Sequence, residues 1–324
     1  MRWRLLFGLT MALAVSAVGA SSAGAVVPGQ NGQVVFQRFD PSIHDSAIFT
    51  MNPDGSHVQE LVSQGAPALP LWSPDGTQVS IQCCDDGMAA HIVDVATGSV
   101  RDLAQPDPAL EANCDQWSPN GLRLACETFG ASDPSLNGIY SIRASDGGGV
   151  ARITSNPRGD DLPLDYSPHG SRLAFVRFDS DGVVVGLFVA SVNTGAVRMI
   201  TPPGMIVNDE FGGSWSPTGN HILFVARSSP DNRRAIWVVN SDGSRLHQLA
   251  ISPACGGLRS DHNSLACTDP NWSPNGRKII FTRTSANGTK SNLYTVNPDG
   301  GDLTRVTQNP NDSQPNWGTH PLSR

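Results

Sequence analysis

The sequence predicts an all-β protein, a six-bladed β-propeller of four-stranded antiparallel blades whose ring closes by pairing the N- and C-terminal strands. An aromatic residue followed by Ser-Pro, a small or polar residue and Gly occurs five times, at Trp72–Gly76, Trp117–Gly121, Tyr166–Gly170, Trp215–Gly219 and Trp272–Gly276. With a decayed sixth copy, Pro315-Asn316-Trp317-Gly318, the aromatic positions are 45, 49, 49, 57 and 45 residues apart. A fixed period in this range marks a repeat architecture. A second β-prone run recurs six times, at Ile48, Ile92, Ile139, Leu187, Ile236 and Leu293, which sets the blade count. No stretch is long or amphipathic enough to predict a helix.

Each repeat unit follows from its residues in order. In Ser-Pro-x-Gly, Pro presets φ for the second turn position, and Gly takes the left-handed conformation that closes a hairpin. Apolar runs such as Leu173-Ala174-Phe175-Val176 and Ile279-Ile280-Phe281-Thr282 follow as strands. A further strand then ends in a second turn, as in Leu293-Tyr294-Thr295-Val296 before Asn297-Pro298-Asp299-Gly300. A last strand closes on a pair such as Ile153-Thr154 or Leu249-Ala250. Four short antiparallel strands repeated at this spacing read as propeller blades. At the ends, 33–38 matches the strand after a Ser-Pro-x-Gly turn but lacks the strand before it. The segment around Trp317 supplies that missing strand, so one blade is built from both termini and the ring has no free edge.

The pattern Trp-Ser-Pro-Asp-Gly, then an Ile-Ala-Phe-like strand, then Asp-Gly and Leu-Thr, resembles the repeat of TolB-type six-bladed β-propellers over nearly the whole mature chain. In TolB proper an α/β domain precedes the propeller and joins it to the Tol–Pal envelope machinery. Here the propeller begins almost directly after the leader, so the resemblance implies the fold more firmly than any partner.

Residues 1–25 read as a cleavable signal peptide: Arg2 and Arg4, an apolar stretch from Leu5 to Val18, and Ala23-Gly24-Ala25 as the cleavage signal. Residues 26–324 are then one exported domain, secreted or periplasmic, with no membrane span after leader removal, and expected as a monomer. Losing two arginines takes the formal net charge from −7 to −9, which argues against a nucleic-acid partner.

In a four-stranded meander, connections one and three share one face of the disc. Both tight turns are odd-numbered, so the long segments, such as 201–211 and 251–269, crowd the opposite face, where binding sites concentrate. Six cysteines suit an oxidising compartment. Cys255 and Cys267 bracket the insertion that stretches one spacing, which predicts a disulfide. Cys114 and Cys126 flank the Trp117 hairpin, and a cross-strand bridge suits them. Other pairings among Cys83, Cys84, Cys114 and Cys126 stay open.

Carboxylates precede the innermost strand of several blades: Glu111, Asp160-Asp161, Asp209-Glu210, Asp269 and Asp312. Glu111, Asp161, Asp209 and Asp312 are the candidate binding residues, an acidic channel mouth for a cation, an amine or a basic peptide. The competing structural role is capping backbone N–H groups within each loop. No G-x-S-x-G, H-E-x-x-H or P-loop is present, and no catalytic or metal-ligating residue is assigned. Asp261-His262 is the one local acid–His pair noted. The expected function is a non-catalytic module that binds a protein or peptide partner in the cell envelope or outside the cell, without a cofactor. The alternative is a propeller-type hydrolase or lactonase using a metal ion, Ca²⁺, held by the same carboxylates.

Overall fold

The computed structural model describes residues 28–83, 87–130, 132–207, 212–228, 233–251, 255, 266–285 and 288–323. The leader, Cys84, Asp209, Glu210 and the Asp261-His262 pair lie outside the described residues.

Six antiparallel sheets form, each starting from an innermost strand. Five follow chain order. Blades one to five start at Ala68–Trp72, Leu110–Trp117, Asp161–Tyr166, the pair of segments Ile206–Val207 and Gly213–Trp215, and Ala266–Trp272. The sixth is composite: Asp312–Trp317 pairs with Val34–Asp40, followed outward by Asp45–Met51 and Gln59–Val62. The ring therefore closes through its termini, as the end segments predict. The one helical element among the described residues is a 3₁₀ turn, Pro134–Leu136, capped by Asp133.

The Ser-Pro-x-Gly turns show why each residue is there. The Gly N–H donates to the Ser carbonyl, as in Gly76 to Ser73 at 2.9 Å and Gly170 to Ser167 at 2.7 Å. The Ser hydroxyl then accepts the N–H five residues on, from Gln78, Arg123, Arg172, His221 and Lys278 in turn. Each Gly sits at positive φ, near +70° (Gly76 +69°, Gly219 +72°), a conformation that L side chains rarely adopt. The turns also pack on one another. A methyl group on Gly121, Gly170, Gly219 or Gly276 would lie against Pro74, Pro119, Pro168 or Pro217 of the preceding blade.

Blade six has no such turn, and the C-terminal tail replaces it. A methyl group on Gly76 would meet the His320 backbone N at 2.8 Å. The Thr319 hydroxyl donates to the Pro74 carbonyl, and His320 Nδ1 lies 2.6 Å from the Gly76 carbonyl oxygen. The His320 ring stacks on Trp72 with centroids 5.2 Å apart.

Apolar side chains pack mainly between neighbouring blades. Leu223, Ile236 and Val238 of blade four meet Trp272, Ile279 and Phe281 of blade five. The six repeat aromatics, Trp72, Trp117, Tyr166, Trp215, Trp272 and Trp317, are all buried. Both expected disulfides are formed. Cys114 and Cys126 face each other across the first hairpin of blade two. Cys255 and Cys267 are joined at the edge of the insertion.

Candidate functional site

The innermost strands of all six blades line a central cavity of about 310 Å³. Side-chain relays join them from blade three round to blade one. The backbone N–H of Trp215 donates to Asp165 Oδ2 at 2.7 Å, and that of Trp272 to Ser214 Oγ at 3.2 Å. The N–H of Trp317 donates to Asn271 Oδ1 at 2.8 Å, and that of Trp72 to Asn316 Oδ1 at 2.9 Å. Each acceptor is the residue just before the repeat aromatic of the preceding blade. Leu71 cannot play this part, and the seam between blades one and two is made differently. There the Ser80 hydroxyl donates to the Asp115 carbonyl at 2.7 Å, and Gln82 Nε2 to Asp115 Oδ2 at 3.0 Å.

A second feature sits three residues before the aromatic. Leu69, Asp269 and Gln314 adopt φ of +49°, +53° and +52°, and Gly212 takes the same place at +64°. Such values are uncommon outside Gly. Each of the three non-glycine residues lies at a break in strand register, so one extra residue is accommodated where the strand passes the cavity. Gln314 Oε1 accepts the Leu69 N–H at 2.7 Å, which links blades six and one again.

The lining is acidic. Asp115, Glu127, Asp165 and Asp269 contribute to it, and no Lys, Arg or His among the described residues does. Burial pushes Asp115 up to about 7, against hydrogen bonds from Gln82 and Gln116. Burial likewise pushes Asp165 up to about 8, although the Trp215 N–H favours its charged form. Asp269 is raised for the same reason, against hydrogen bonds from Thr282 and Thr268. These are carboxyl groups whose charged form burial disfavours.

Three of the four residues proposed from sequence lie elsewhere. Asp161, 1% exposed, accepts from Arg177 Nε at 2.7 Å, Thr154 Oγ1 at 2.6 Å and Asn156. Asp312, fully buried, accepts from Arg38 Nε at 2.6 Å. Each arginine also stacks on an aromatic pair of its blade, Arg38 over Phe36 and Phe49, Arg177 over Phe175 and Phe188. Glu111 is exposed on the innermost strand of blade two, and Asp209 lies outside the described residues. None of Glu111, Asp161 and Asp312 lines the cavity. Among the described residues of the wider acidic set, Asp269 alone does. Asp115 and Asp165 were missed although their signal was present: an acid one or two residues before the repeat aromatic, in Asp115-Gln116-Trp117 and Asp165-Tyr166. Among the described residues, no three His, Cys, Asp or Glu groups converge to hold a metal ion. No helix of those residues is long and apolar enough to cross a membrane.

Comparison with known proteins agrees with this architecture. The family described as the TolB beta propeller domain (PD40) matches residues 33–321. A Tol-Pal system protein TolB from Francisella tularensis is 24% identical over 230 residues, 71% of this chain and 46% of that protein. A TolB homolog from Chlorobium luteolum is 27% identical over 47% of this chain and 33% of its own length. The chain thus spans a third to a half of these relatives. Among solved structures, TolB from Acinetobacter baumannii superposes with a TM-score of 0.67 at 18% identity, covering 89% of this chain and 66% of that one. An oligogalacturonate lyase in complex with manganese superposes with a TM-score of 0.54 at 14% identity, covering 86% and 83%. At such identities the likeness is one of fold.

Proposed function

The chain belongs to the TolB beta propeller domain family, and from that membership we propose an exported, non-catalytic binding module. It takes a protein or peptide partner through its long-loop face and central channel. The observation that carries this reading is the channel itself, a cavity of about 310 Å³ with four carboxylates and no basic side chain in its described lining. A rigid ring of carboxyl groups favours a cationic partner and speeds its encounter at low salt. The two disulfides and the leader sequence support an oxidising, extracytoplasmic compartment. The Tol-Pal relatives support a partner in the envelope, although this chain matches less than half of them.

The test is capture from envelope extracts by residues 26–324, compared with the variant Asp115→Asn/Asp165→Asn/Asp269→Asn. Binding is expected to weaken as salt rises and to fall in the variant. A partner retained equally by both proteins, or retained unchanged at 0.5 M salt, argues against the channel. Turnover of a lactone, phosphate ester or peptide that vanishes in the variant replaces the binding module with an enzyme.

A further inference from the structure

We infer that the central cavity is a site for one organic cation, a guanidinium or primary ammonium, held by Asp115 and Asp165. The inference rests on the reading of the channel as a binding site and names the chemistry that enters it.

The lining is matched to such a group on two sides. Asp115 and Asp165 are each 8% exposed, and each has one carboxylate oxygen engaged by a neutral donor, Gln82 Nε2 or the Trp215 N–H. A neutral donor orients a carboxylate without cancelling its charge. The other titratable groups of the lining, Glu127 and Asp269, carry the same sign. The basic groups packed against the surrounding aromatics are Arg123 near Tyr166, Arg172 over Trp215 and His320 on Trp72. None of these three lines the cavity.

The second side is aromatic. Trp72, Trp117 and Trp317 all contribute to the wall, and indole faces attract cations. Carboxylates and indoles around a cavity of this size suit an organic cation such as an arginine or lysine side chain, and no three His, Cys, Asp or Glu groups among the described residues converge on a bare metal ion. The volume admits one such side chain and excludes a folded domain.

Because Asp115 is raised to about 7 and Asp165 to about 8, a cation competes with protons for both. Affinity must therefore rise with pH. Between pH 6 and pH 8 the ionised fraction of a group titrating near 7 rises about tenfold and that of one near 8 about fiftyfold, so the apparent affinity rises by at least about tenfold.

The experiment titrates residues 26–324 with Nα-acetyl-arginine amide, its neutral isostere Nα-acetyl-citrulline amide, guanidinium ion alone, and a short peptide with one internal arginine. Tryptophan fluorescence and calorimetry read binding. The arginine amide is expected to bind saturably, at least about tenfold more tightly at pH 8 than at pH 6. Proton release on binding should show as a dependence on buffer ionisation enthalpy. The citrulline compound should bind at least tenfold more weakly. The free ion and the peptide distinguish a small-molecule source from a protein-borne side chain. Asp115→Asn/Asp165→Asn should lose the binding and its pH dependence, while Asp302→Asn, on an exposed turn, should keep both. Equal binding of the citrulline compound, unchanged binding in the double variant, or no saturable binding by any probe overturns the inference. If no probe binds but partner capture is lost in the channel variant, this inference fails while the binding-module reading stands. If the cation site is lost in the double variant and partner capture persists, the reverse holds.

Discussion

At the residue scale, Asp165 shows how the channel separates stability from function. Its position, just before the repeat aromatic, is filled by Asn271 in blade five and Asn316 in blade six, and all three accept the next blade's Trp N–H. An amide oxygen therefore does the structural work, and the carboxylate is an addition. The addition has a cost. Its folded pKa, about 8, lies above the ordinary 3.8, so the folded chain holds a proton that the unfolded chain has released throughout that window. Stability from this group is complete below pH 4, falls as pH rises towards 8, and levels off above it. At about 1.4 kcal/mol per pKa unit, the loss is on the order of a few kcal/mol. We predict that Asp165→Asn raises the melting temperature by several degrees at pH 8.5 and leaves it unchanged at pH 4, as read by scanning calorimetry. A variant less stable than the parent at both pH values contradicts this account of burial. A more stable protein with a weaker site is the usual relation when a site stores unfavourable charge.

At the scale of strands and blades, the two buried carboxylate–arginine pairs hold the loop-side ends of their hairpins. Arg177 bridges to Asp161 from the neighbouring strand, and Arg38 to Asp312 across the junction of the two termini. Removing one partner of a buried pair strands the other charge, at about 3–5 kcal/mol, whereas replacing both with apolar groups is often neutral. Arg177→Met alone should therefore lower stability strongly in denaturant melts. Arg177→Met/Asp161→Leu should recover most of the loss, and an additive double variant would contradict the pairing. These pairs also explain what was legible in the sequence. Turns, blade count, closure and both disulfides follow from local chemistry that repeats: Pro and Gly at fixed offsets, and cysteines flanking one hairpin or one insertion. Channel-facing residues do not. Register shifts interrupt the innermost strands at 68–71, 114–116, 163–165 and 268–271, so simple alternation fails to say which face a side chain takes. Asp161 and Asp312 looked like a rim because they recur with the repeat. Their recurrence belongs instead to the F-x-R sequence of the adjoining strand, Phe175-Val176-Arg177 and Phe36-Gln37-Arg38, whose arginines claim them.

For the whole molecule, the question is what keeps six marginal sheets in one ring. Four-stranded blades bury their faces only against neighbours, so the ring is as sound as its last seam. That seam has two parts. Asp312–Trp317 supplies the innermost strand of the composite blade, pairing Val34 with Trp317 and Arg38 with Asp312. The tail beyond it stands in for the missing sixth turn, with His320 on Trp72 and Ser323 N–H donating to Asn52 Oδ1 at 2.9 Å. Gly318 fits only because it lacks a side chain, since a methyl group there would lie 2.5 Å from the Trp72 ring. The two parts predict different failures. Removing 321–324 should be mild, because His320 stays on Trp72 and, among the described residues, only the Ser323 hydrogen bonds to Asn52 and Gln33 are lost. Removing 318–324 uncovers Trp72 and should lower the melting temperature while leaving one cooperative transition. Removing 312–324 exposes two sheet edges and leaves Arg38 without its carboxylate, so cooperative melting should vanish and aggregation should follow. Circular-dichroism melts with size-exclusion chromatography separate the three cases, and a chain ending at 311 that melts like the full length would refute closure through the termini. The middle truncation also bears on the channel, because Gly318 and Thr319 form part of its wall while Asp115 and Asp165 lie on other blades. It should therefore widen access without removing the charge, and faster cation exchange at nearly unchanged pH dependence is the expected signature.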